Sequence, residues 1–252
     1  MKIHQIIFSP TGGTRRVSET LCKGMNKESV MTDLCVKAAD ILLPNLHEDD
    51  LVVIAMPVFA GRVPALAVER LRKVNPHGAK YVVVAVYGNR AYDDALIEMQ
   101  DVATEIGFRV IAAVGAVAEH SIIRIYGQGR PDADDRQSLL HFGADIMRKA
   151  EGSDCTMPQV PGHRPYKKGG MVPQPKGRRG CNRCGACAKQ CPADAIPLSD
   201  PKMVDSAKCI SCMKCVSVCP TGARRIGTVM NFLATQGLKK VCATRKENEL
   251  YI

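Results

Sequence analysis

Eight cysteines fall between positions 181 and 219, in two runs that repeat each other. The first run is Cys181, Cys184, Cys187 and Cys191, with Pro192 behind it. The second is Cys209, Cys212, Cys215 and Cys219, followed by Pro220. Both read C-x2-C-x2-C-x3-C-P, and the second is the first moved along by 28 residues. Three thiols at such short intervals belong on one tight loop around a common centre. The fourth points away from that loop, and the proline stops the chain from folding back. Disulfide frameworks do not cluster in this way. Met1 to Phe8 is also too short for a secretory apolar region and is broken by Pro10, Gly12 and Gly13. Metal ligation is therefore favoured over cross-linking. Structural zinc is the competing reading. It uses two C-x2–4-C pairs, often with His, whereas no His lies between 181 and 219.

The doubled run resembles that of bacterial-type two-cluster ferredoxins, over about residues 174–230. The resemblance implies two [4Fe–4S] clusters that exchange their fourth ligands. Cys181, Cys184, Cys187 and Cys219 would hold one; Cys209, Cys212, Cys215 and Cys191 would hold the other. The segment 196–204 is expected to form a small hairpin, with Asp200 and Pro201 at its turn. Charge marks this part of the chain. Residues 1–166 carry 19 Lys and Arg against 20 Asp and Glu, and residues 167–252 carry 16 against 5. A basic surface suits a redox partner protein with an acidic face. Nucleic acid is not expected, because residues 167–230 hold no aromatic side chain on which a base could stack.

The N-terminal part has another character. Lys2 to Phe8 reads as a buried strand, and residues 15–27 read as a helix. Between them lies Ser9-Pro10-Thr11-Gly12-Gly13-Thr14, a loop of hydroxyls and glycines. Such a loop aims amides and hydroxyls at one point, and the helix dipole adds positive potential there, so it suits a phosphate. It is neither G-x4-G-K-[ST] nor G-x-G-x-x-G. Further strands are expected at 31–36, 51–56, 81–87 and 109–117, with helices at 64–73, 91–106 and 134–149. Alternation of this kind gives a doubly wound parallel sheet that binds ligands at the carboxyl ends of its strands.

Ser9, Thr11, Gly12 and Thr14 match, position by position, the [ST]-x-T-G-x-T phosphate loop of flavodoxins, which the chain resembles over about residues 1–150. The resemblance implies FMN. Ser9, Thr11, Gly12, Gly13 and Thr14 would take its phosphate. The loop Pro57, Val58, Phe59, Ala60, Gly61 and the loop Tyr87, Gly88, Asn89, Tyr92, Asp93 would take its ring. Many flavodoxins stack a tryptophan on the ring, and this chain has none, so Phe59, Tyr87 or Tyr92 must serve. Arg62 and Arg90 stand in the same loops. The order of the two halves is similar to the flavodoxin–ferredoxin fusion proteins of anaerobic bacteria. The fold expected is α/β: a flavodoxin-like doubly wound five-stranded parallel sheet with a second, smaller α+β two-cluster ferredoxin domain.

Four segments follow: 1–150 for FMN, a Pro- and Gly-rich linker at 151–175, the ferredoxin unit at 176–230, and a tail at 231–252. The long connection 119–132 is expected to border the flavin or the domain interface. His4, His47, His77, His120, His141 and His163 are scattered, with no ligand role read for any. Cys22, Cys35, Cys155 and Cys242 fit no motif and read as buried small hydrophobes. No acid–base or nucleophilic constellation stands out. The expected function is electron transfer between the clusters and FMN in the cytoplasm, with no membrane span. The alternatives are a flavin-dependent reductase of a quinone-like molecule and an iron–sulfur redox sensor or binding module. Oligomeric state is not legible.

Overall fold

The computed structural model describes residues 1–170 and 172–252. In the N-terminal part, β1 (Ile3–Ile7), α1 (Gly13–Gly24), β2 (Ser29–Asp33), β3 (Leu51–Pro57), α2 (Ala65–Leu71), β4 (Lys80–Tyr87), α3 (Ala95–Glu105), β5 (Arg109–Val117) and α4 (Ala133–Glu151) follow in turn. Five strands run parallel in the order β2-β1-β3-β4-β5, the flavodoxin-like doubly wound order. The central strands are continuous apolar runs because helices cover both faces. Ile6, Phe8, Val52, Ile54, Tyr81 and Val83 pack toward α2 and α3. Their alternates Ile3, Ile7, Val53, Ala55, Val82 and Val84 pack toward α1 and α4.

Helix α3 starts at Ala95 and not at 91, because Asn89 and Asp93 hold positive φ angles of 59° and 45° that no helix accepts. The sheet also has a sixth strand that the sequence did not announce. It is β8, three residues long (Glu249–Tyr251), and it lies antiparallel on β5, pairing Ala113 with Tyr251 and Gly115 with Glu249.

The cysteine-rich unit comprises β6 (Lys176–Gly177), α5 (Ala186–Lys189), α6 (Lys214–Ser217) and β7 (Arg224–Arg225), and α7 (Thr228–Cys242) follows it. The 28-residue repeat is visible in the backbone. Arg183, Gly185 and Asp194 have positive φ, and so do Ser211, Met213 and Gly222, their counterparts 28 positions on. The expected hairpin at 196–204 does not form strands. A turn is present, with Met203 N–H donating to Asp200 O at 3.1 Å. The carbonyls beyond it are engaged elsewhere, by Gly177 N–H on Lys202 and by the Arg224 side chain on Pro201 and Met203. The two-stranded sheet is β6 with β7 instead.

The unit is docked on the flavodoxin-like domain. The buried Arg70 guanidinium donates to Val36 O at 2.7 Å and, across the interface, to Pro192 O at 2.6 Å. Lys37 pairs with Asp194, and Ile210 packs on the α2–α3 core. The linker lies along α3. Pro158 O accepts from Gln100 Nε2 at 2.8 Å, and Asp94 accepts from the amides of His163 and Lys167. No helix among the described residues is long and apolar enough to cross a membrane.

Helices α1 and α4 touch backbone to backbone. A Cβ on Gly143 would stand 2.2 Å from Leu21 O, and one on Gly24 2.2 Å from Leu140 O. Alanine is intrinsically better in a helix by about 1 kcal/mol, but overpacking of this kind costs about 1–3 kcal/mol. Gly143→Ala is therefore expected to lower the urea midpoint of the flavodoxin-like domain; an unchanged or raised midpoint refutes the contact.

Candidate functional site

The eight cysteines sort into two small cavities. Cys181, Cys184, Cys187 and Cys219 line one; Cys191, Cys209, Cys212 and Cys215 line the other. Each cavity thus joins three cysteines of one run to the fourth of the other. Among the described residues, no three His, Cys, Asp or Glu side chains converge as a single ion requires. A cubane asks for something else, since each of its four irons takes its own thiolate and the ligands stand apart around it. The donor set fits that group. The sulfurs also receive amide hydrogen bonds, from Ala195 N–H to Cys191 Sγ and from Arg224 N–H to Cys219 Sγ, each at 3.4 Å. Such bonds are one of the means by which a protein sets a cluster's potential.

At the carboxyl ends of β1, β3 and β4 lies a cleft lined by Thr11, Gly13 and Thr14 on one side and by Pro57, Val58, Phe59, Tyr87 and Gly88 on the other. It is local chain chemistry that opens it. Gly12 sits at the start of α1 with φ 87° and supplies no capping side chain. Ser9 Oγ reaches over and accepts from Arg15 N–H at 2.9 Å, which folds the loop around the helix end. The first-turn amides of α1 are donors without intrahelical acceptors. Facing them, Phe59 and Arg62 exchange backbone hydrogen bonds around Ala60 and Gly61, whose φ values of 52° and 85° make a tight reverse turn. Beyond Phe59 and Tyr87 the cleft leads into a largely apolar cavity of about 430 Å³ that also takes in Ala60, Gly61 and Gly88. An anion site at one end and a broad apolar slot at the other fit FMN.

Three ring-loop residues are placed otherwise. Asn89 is buried, and its amide grips the C-terminal segment through Cys242 O at 2.9 Å and Thr244 O at 3.0 Å. Tyr92 meets Tyr87 edge-on at 5.3 Å, and its hydroxyl bonds Tyr251 Oη at 2.7 Å. Asp93 pairs with Arg90 and with Lys167 at 3.1 Å. All three support β8 or the linker, which leaves Phe59 and Tyr87 as the aromatics of the cavity. Arg62 is bound to Glu98 by two bonds of 2.7 Å and lies over the Tyr166 ring, while Arg90 lines the cavity.

The structure adds residues that the sequence did not single out. The connection 119–132 brings His120, Ser121, Ile122 and Ile123 to the cavity wall. His120 Nδ1 accepts from the amides of Ile122 and Ile123 at 3.1 Å each, so its proton is on Nε2. Burial and the neighbouring Arg90 hold its pKa down to about 4. Helix α7 roofs the cavity with Ala234, Gly237 and Leu238. Cys212 is on the wall of both the second cysteine cavity and the cleft, and Ser211 faces the large cavity. Of the other cysteines, Cys22, Cys35 and Cys242 are buried as expected; Cys155 is exposed, because it lies in the extended segment after α4 and packs in no core.

Residues 180–223 match the family model of the 4Fe-4S dicluster domain. The chain is 43% identical over 47 residues to a "Ferredoxin-like protein in nif region" of Sinorhizobium fredii (strain NBRC 101917 / NGR234), which takes in 16% of this chain and 73% of that protein. Among solved structures, a flavodoxin from the domain Archaea is 20% identical with a TM-score of 0.46, covering 60% of this chain and 100% of its own. The flavodoxin of Streptococcus pneumonia TIGR4 is 17% identical with a TM-score of 0.41, covering 58% and 99%. The flavodoxin-like character of the N-terminal domain is carried by its own strand order and strand-end loops. A redox role in electron transfer follows from the iron–sulfur unit and the domain it is joined to. Through residues 180–223 the chain belongs to the 4Fe–4S dicluster ferredoxins, and it is a fusion of that module with a flavodoxin-like domain.

Proposed function

We propose that the protein is an electron carrier that holds two [4Fe–4S] clusters and FMN in series. The observation that supports this above all is the double position of Cys212, shared by the second cysteine cavity and the cleft between Thr14 and Phe59. The cluster on Cys209, Cys212, Cys215 and Cys191 is then proximal to the flavin. The cluster on Cys181, Cys184, Cys187 and Cys219 is distal, with Cys184 exposed toward any partner. When bound, the clusters supply one-electron chemistry and FMN supplies one- or two-electron chemistry.

The chain's own residues place these groups. The Thr11–Thr14 amides and hydroxyls hold the phosphate against the α1 dipole. Phe59 and Tyr87 border the ring, and Val58, Ala60, Gly61 and Gly88 let backbone approach it. Exposed Arg178, Arg179, Arg183 and Lys189 surround the distal cysteines and suit an acidic partner protein.

Anaerobic purification is expected to yield roughly eight irons and one extractable FMN per chain; zinc in place of iron, or no flavin, refutes the assignment. Cys191→Ser should remove the cluster of the Cys209–Cys215 loop and spare that of the Cys181–Cys187 loop, as read by the EPR of the reduced protein. The reverse loss would mean that the fourth ligands are not exchanged. Tyr87→Ala should weaken FMN binding about tenfold, ~1.4 kcal/mol, in a flavin-fluorescence titration. Unaltered affinity would take Tyr87 out of the ring site.

A further inference from the structure

Position 224 breaks the repeat. Moving the first half along by 28 residues brings Ile196 onto Arg224, each five residues beyond the last cysteine of its run. Ile196 is 6% exposed and packs with Cys187, Cys191 and Ala195. Arg224 is 2% exposed, so a cation is buried where the other half of the module buries an isoleucine. A guanidinium taken out of water needs partners for all of its donors. Only one nitrogen finds protein oxygens: Nη1 donates to Pro201 O at 2.7 Å, to Met203 O at 3.1 Å and to Lys202 O at 3.4 Å. Nε and Nη2 are buried with no oxygen or nitrogen acceptor.

The place of this side chain says what those donors are for. Arg224 lines the cavity of Cys181, Cys184, Cys187 and Cys219 and also that of Cys191, Cys209, Cys212 and Cys215. No other described residue lines both.

We propose that Arg224 stands between the two clusters as their shared hydrogen-bond donor and counter-charge, raising the potential of each. The inference rests on the cluster assignment above. A [4Fe–4S] centre with four thiolates is an anion, and reduction makes it more negative. A fixed cation therefore stabilises the reduced form more than the oxidised one. N–H donors directed at sulfur act in the same sense. Because Arg224 is buried, neither water nor salt screens it well. One cation between two anions also eases their mutual repulsion when both are reduced. The rival role is structural: a brace for the Pro201–Met203 turn that leaves the clusters electronically untouched.

Three measurements on the full chain separate these roles. Native protein grown on guanidino-15N arginine should show a 15N coupling on both reduced clusters by ENDOR; no coupling on either cluster overturns the proposal, and this reading needs no variant. Arg224→Ile, which restores the residue of the other half, should keep full iron and lower both midpoint potentials by about 59 mV or more, a tenfold change in a one-electron equilibrium. Unchanged potentials with full iron overturn the proposal. Arg224→Lys keeps the charge without the planar fork, so its potentials should fall by less; potentials equal to the native ones would remove the hydrogen-bonding part. A native protein without iron would instead defeat the cluster assignment itself.

Discussion

Strand β8 on β5 is the contact that makes the cysteine-rich unit an insert and not an appendage. The chain leaves the flavodoxin-like domain at α4, builds the unit, and comes back through α7 to lie on the edge of the same sheet. A side-chain clamp fixes this return. Asn89 holds Cys242, Thr244 and Lys246 through their backbone groups. Arg130, buried with Asp135, donates to Lys246 O; Asn248 binds Asp135 at 3.1 Å and the Val117 amide at 2.9 Å. Breaking one partner of a buried pair such as Arg130–Asp135 costs about 3–5 kcal/mol, so the clamp is demanding of its residues. Arg70 adds a bond across the interface, to Pro192 O. The cysteine cavity that reaches the strand-end cleft is the one that contains Cys212.

Much of this was legible in the residues. The parallel strands could be read because a strand buried on both faces has to be apolar throughout, as Leu51 to Met56 and Tyr81 to Val86 are. The cysteine repeat was legible because its spacing is short and local. What could not be read was whatever depends on distant segments meeting. Glu249-Leu250-Tyr251 has no strand signature of its own and becomes a strand only because β5 offers an open edge. Asn89 and Tyr92 lie in the loop that a flavin ring would be expected to use, yet they serve a tail more than 150 residues away. His120 was one of six scattered histidines until the connection 119–132 folded it onto the cavity. Arg224 is one of many cations in a basic segment of the sequence, and burial alone distinguishes it.

The basic residues of the chain accordingly divide into two kinds. Arg178, Arg179, Arg183 and Lys189 are exposed and contribute a field that salt weakens over about 8–10 Å. Arg70 and Arg224 are buried and act at contact distance, one on backbone carbonyls of both domains and the other between the thiol cavities. A net charge says nothing about this division, which belongs to the fold.

The late pairing of β8 also bears on how the molecule is made. Until residues 249–251 arrive, β5 presents an open edge of apolar residues from Val110 to Val117, the kind of edge on which other chains aggregate. Synthesis runs from the N-terminus, so the ribosome delivers all eight cysteines of the two runs before the strand that covers this edge. The sheet is thus begun first and finished last. In the order of the chain, the cysteine-rich unit stands between the first strands of its host sheet and the last.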